Sequence, residues 1–71
     1  LVIDAGAMAK AAGSARAMNI VMLGALSPFI GLSEADLAGA VREAFARKGD
    51  EVVQTNLRAF AAGRAAATAV L

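Results

Sequence analysis

The side chains that could do chemistry in this 71-residue sequence are few. They are six carboxylates, seven cations, two asparagines and a handful of hydroxyls, with no cysteine and no histidine. Thiolate or imidazole nucleophiles, Cys/His zinc sites and iron–sulfur ligation therefore have no donors within the chain. The carboxylates come in close pairs, Glu34 with Asp36 and Asp50 with Glu51. Paired acids can act as general acid and base when they converge in a cleft. Here each pair falls at the expected first turn of a helix, where negative charge meets the exposed N–H groups and the positive end of the helix dipole. Their types and positions are accounted for without catalysis, and no catalytic, cofactor-binding or metal-binding residue is expected. Gly6 and Gly13 lack the spacing of a phosphate-binding loop and no Gly-Lys-Ser/Thr follows them.

Asn19 and Asn56 have no such ready account. Helical spacing puts Asn19 on the face of Leu23, Leu26 and Ile30, and Asn56 beside Val52, Val53 and Phe60. A buried amide without partners costs about 1–3 kcal/mol. Each is thus expected to find hydrogen bonds, either as a structural amide tying its helix to a neighbouring loop or in contact with a partner subunit or bound cofactor.

The elements that must position these groups are mainly helical. Leu1-Val2-Ile3 reads as a short strand. It lacks the charged start and long apolar run of a signal peptide, and the chain is expected to begin mid-domain. A short Ala-rich helix over 7–12 should stop at Gly13 in a left-handed conformation, with Ser14 capping the next helix. That helix spans about Ala15 to Ser27, is apolar nearly all round, and should end or kink before Pro28. Gly24 inside it costs about 1 kcal/mol relative to Ala and suggests close backbone approach by another element. Ser33-Glu34-Ala35-Asp36 resembles a capping box and opens a helix to Lys48, with Leu37, Val41, Ala44 and Phe45 on one face and a Glu43–Arg47 pair on another. Gly49 ends it. Asp50 should cap a fourth helix from Glu51 to Ala62 or beyond, with Val53, Leu57, Phe60 and Ala61 as its stripe; Gly63 either ends it or is passed by an Ala-rich tail.

The chain is 59% hydrophobic with a mean hydropathy of +0.64, high for a small domain that must keep most residues in water. It should therefore pack on more protein and expose a hydrophobic surface when produced alone. A membrane is the weaker explanation: the apolar stretch from Ala17 to Leu32 falls short of the roughly 20 residues of a span, and Asn19, Ser27 and Pro28 interrupt it. Net charge is +1, with the basic residues scattered and not interleaved with aromatics, so nucleic acid is not an expected partner.

The order of these pieces resembles a known family. A strand ending in Ile3-Asp4-Ala5 leads to a short helix and Gly13. Then follow Arg16-Ala17-Met18-Asn19-Ile20-Val21-Met22-Leu23-Gly24-Ala25-Leu26, the Leu32-Ser33-Glu34 helix start, and Asn56-Leu57-Arg58-Ala59-Phe60 with Gly63. This is similar to the end of the gamma-type domain of 2-oxoacid:ferredoxin (acceptor) oxidoreductases. Ser27-Pro28 after Gly-Ala-Leu is most similar to the indolepyruvate branch, where the polypeptide is called the beta subunit. The resemblance runs to about Gly63. Gly13-Ser14-Ala15-Arg16 replaces the Gly-Asn-Pro-Arg common in the family, and residues 65–71 match nothing in it.

The resemblance implies that residues 1–71 form one segment, the C-terminal part of an α/β, Rossmann-like domain: about four helices and at most one short N-terminal strand. It implies a cytoplasmic, oligomeric complex that oxidatively decarboxylates a 2-oxoacid, such as indolepyruvate or another aryl pyruvate, to an acyl-CoA. Such a complex uses thiamine diphosphate, magnesium, iron–sulfur clusters and coenzyme A, held mainly by a larger thiamine-binding subunit, with ferredoxin as electron acceptor. The segment itself would serve structure and assembly. The competing reading is a stand-alone helical interaction module without enzymatic activity. Alternating strands and helices with a Gly-rich turn upstream of Leu1 would support the first; a native start codon directly before Leu1 would sink it.

Overall fold

The structure is a computed structural model that describes residues 4–14, 17–31 and 33–69. Four α-helices account for most of it: α1 (Ala5–Ala12), α2 (Met18–Leu26), α3 (Glu34–Phe45) and α4 (Asp50–Thr68). Single 3-10 turns follow α2 (Ser27–Phe29) and α3 (Ala46–Lys48). The chain is mainly α, as expected, and no strand occurs among the described residues. The strand expected at 1–3 lies outside them.

Local chemistry sets most of the boundaries. Asp4 caps α1, its carboxylate accepting the Ala7 N–H at 2.9 Å, so the helix starts two residues earlier than the Ala run suggests. Gly13, at φ 124°, closes it: its N–H donates to Lys10 O and the Ser14 N–H donates to Ala9 O, both at 3.0 Å. This pair of bonds is a Schellman ending. Ser33 opens α3 through its hydroxyl, which accepts the Asp36 N–H at 3.0 Å. Pro28 tightens the end of α2 into its 3-10 turn.

Several boundaries differ from expectation. The residue before α2 is Ala17, which makes no side-chain cap bond, and its N–H donates to the Ser14 carbonyl; residues 15 and 16, where the helix start after Ser14 was expected, lie outside the described residues. Asp50 is the first residue of α4, not its cap, because Gly49 at φ 102° turns the chain one position earlier. The tightening at 46–48 breaks the α3 register; Glu43 and Arg47 stay exposed, Arg47 rotated off its i+4 position, and make no ion pair. Ala44 is also exposed, leaving Leu37, Val41 and the half-buried Phe45 as the inner face of α3. Gly63 does not end α4, which runs on to Thr68.

The four helices form a slab whose Cα extents are 34 × 25 × 13 Å. Each helix keeps a face in solvent. α2 packs chiefly on α4, while α1 and α3 flank this pair. One cluster joins α1, α2 and α4 through Ala9, Ala12, Ala17, Val21 and Ala59. The other joins α3 and α4 through Leu37, Val41 and Phe60, with Ile20 and Leu23 of α2 against it.

The α2–α4 crossing rests on two glycines. A Cβ at Gly24 would overlap the Phe60 carbonyl oxygen and lie 3.0 Å from Arg64 N. A Cβ at Gly63 would overlap the Val21 carbonyl oxygen and lie 2.9 Å from Ala25 N. The contact is reciprocal, glycine of each helix against backbone of the other. The close approach expected at Gly24 is thus present, and α4 supplies the partner through Gly63. Ala25, Ala59 and Ala67 are buried as well. Small residues let the backbones meet, so dispersion contacts between main chains replace those of larger side chains.

Candidate functional site

The two asparagines singled out by sequence meet at one place. A cleft of about 740 Å³ opens between the α1–α2 connection and the junction of α3 with α4, and both Asn19 and Asn56 line it. Ile20, Phe45 and Val52 give it apolar walls, and Lys48, Asp50 and Glu51 stand at its charged edge.

The asparagines differ in setting. Asn19 is exposed; of the residues expected on its face, Leu26 and Ile30 are exposed as well, while Leu23 is half-buried against the α3–α4 cluster. Asn56 is buried, 7% exposed, and its amide donates to Val52 O at 2.9 Å, one turn back along α4. It thus braces its own helix and does not tie α4 to a loop. No buried side-chain nitrogen or oxygen among the described residues lacks a partner, so the burial of Asn56 carries no unpaired-amide penalty.

Two arginines on α4 do the tying instead, with no local sign of it in the sequence. Arg58 Nε donates to the Ala12 carbonyl at 2.8 Å, at the end of α1, and its Nη2 donates to Thr55 Oγ1 at 3.2 Å. A cation placed on the last carbonyls of α1 also complements that helix's dipole. Arg64 Nη1 donates to Ser27 Oγ at 2.9 Å, and its Nε pairs with Glu34 Oε2 at 2.5 Å. Ser27 is buried, and its hydroxyl donates to Gly24 O at 2.6 Å. Arg64 therefore joins the end of α2, the start of α3 and the middle of α4. Both contacts span far in sequence, so helix periodicity alone could not reveal them.

This arrangement offers recognition and support more readily than proton transfer. The Thr55 hydroxyl beside the cleft faces a guanidinium, which has no lone pair and cannot act as a base. Asp50 and Glu51 sit exposed in the first turn of α4, where they favour its dipole. No group of three or more carboxylate, imidazole or thiolate side chains that could hold a metal occurs among the described residues. No helix among them is long and apolar enough to cross a membrane.

An uncharged helix is thus locked to a long partner by paired glycines, with arginine staples and an amide-lined cleft beside it. Comparison with known families gives these helices their setting. The family model described as pyruvate ferredoxin/flavodoxin oxidoreductase matches residues 1–66. The chain belongs to that family of 2-oxoacid:ferredoxin oxidoreductases. No curated protein and no solved structure matches it.

The redox and thiamine groups implied by the family find no fit in these residues. The sequence has no thiolate to ligate iron, and its described carboxylates form no cluster for a magnesium–diphosphate pair. No chemical step is assigned to this segment through those groups.

Proposed function

We propose that the chain is the helical closing segment of the gamma-type, Rossmann-like domain of such an oxidoreductase, and that its role is structural, holding the domain in a form its partner can bind. The observation that carries this reading is the reciprocal Gly24–Gly63 contact, which fixes α2 against α4 within the stretch that matches the family. The acids support it, since Asp4 acts as a helix cap while Glu34, Asp36, Asp50 and Glu51 lie in first turns.

The partner is then the larger thiamine-binding subunit, which would hold thiamine diphosphate, magnesium and iron–sulfur clusters, in a cytoplasmic complex that passes electrons to ferredoxin and the acyl group to coenzyme A. The resemblance around Ser27-Pro28 favours indolepyruvate or another aryl pyruvate as the 2-oxoacid. Asn19, exposed at the cleft that Asn56 also lines, is the contact through which the subunit would meet its partner.

The test is to copurify the full subunit with its larger partner and follow ferredoxin reduction with a panel of 2-oxoacids and coenzyme A. Stable copurification and a preference for aryl pyruvates are expected. Failure to copurify would refute the assembly role, and a preference for pyruvate would refute the substrate assignment. Asn19→Asp should weaken copurification while leaving the fold, read by circular dichroism, unchanged. Undiminished copurification of that variant would remove the cleft from the interface.

A further inference from the structure

We draw no further inference here: the strongest candidate, the cleft between the α1–α2 connection and the α3–α4 junction, belongs to the site already described, and nothing in the structure shows the chemistry of what fills it.

Discussion

Gly63→Ala puts a methyl group into the narrowest point of the molecule. The new Cβ would overlap the Val21 carbonyl oxygen and stand 2.8 Å from Val21 C and 2.9 Å from Ala25 N. Carbon atoms in good contact lie about 3.5–4.0 Å apart, and the obstacle is backbone, which no rotamer change can move. α2 and α4 must part by about 1 Å, and a gap of that size forfeits up to about half of each dispersion contact along the crossing. Overpacking of this kind costs typically about 1–3 kcal/mol, with backbone against backbone at the upper end. Alanine returns about 0.5–1 kcal/mol through helix propensity. A net loss of about 2 kcal/mol is expected, or roughly 8–16 °C in melting temperature for a chain this size. Gly39 gives the control, because nothing lies within 4 Å of a Cβ there. Gly39→Ala should raise the melting temperature by about 4 °C through propensity alone. The assay is thermal unfolding at 222 nm in sucrose, which strengthens burial and secures both baselines. If the two substitutions shift stability in the same direction, the glycine crossing is not what holds α2 to α4.

The staples and caps make further predictions. Arg58→Leu removes the bond to the Ala12 carbonyl and should cost about 1 kcal/mol, since the arginine is exposed; faster amide exchange confined to α1 would show it. Ser33→Ala removes the α3 cap and should cost about 1 kcal/mol in urea unfolding, with Ser33→Asp restoring most of it. Arg64→Lys keeps the charge but cannot hold Ser27 and Glu34 on one planar fork; a loss of about 1 kcal/mol is expected. Part of that loss should disappear at 1 M salt, because Glu34 is 62% exposed and its pairing is screened.

What the sequence made legible was local. The ending at Gly13, the Ser33 cap and the stop before Pro28 each depend on residues within one turn, and each is present. Gly24 stood out because a helix-interior glycine needs a reason. Gly63 did not, since a glycine after an amphipathic stretch can equally end the helix, and only the backbone of α2 opposite decides between the two. Asn19 was misplaced for a related reason. A helix with no charged residue gives no mark of its solvent side, so periodicity could not show that the face carrying Met22 and Leu26 is open. The arginine staples were invisible because their partners lie 46 and 37 residues away. The cleft that gathers Asn19 and Asn56 is likewise a product of tertiary packing between elements that are distant in the chain.

Folding and association should be coupled in this chain, for a reason visible in its core. Of the eleven buried hydrophobic residues among those described, six are alanines, at positions 9, 12, 17, 25, 59 and 67. The other five are Val21, Leu37, Val41, Val53 and Phe60, while five large apolar residues remain half exposed on α2 and the turn after it. Met8, Ile20, Leu23, Phe45 and Leu57 pack half-buried against the core. Alanine permits the close helix crossing but removes little area from water, and a domain of this length is marginal even with a full core. Covering the five exposed side chains of α2 and its turn would add the missing burial to the folded state alone, and anything that binds only the folded state raises its apparent stability by mass action. The melting temperature should accordingly rise when the larger partner is added. Met22→Glu should reduce that rise while leaving the melting temperature of the chain alone nearly unchanged, because Met22 is half exposed and contributes little to the core. A melting temperature unmoved by the partner would mean that the helices are stable with that face uncovered, and that the Gly24–Gly63 crossing supplies more of the stability than its small side chains suggest.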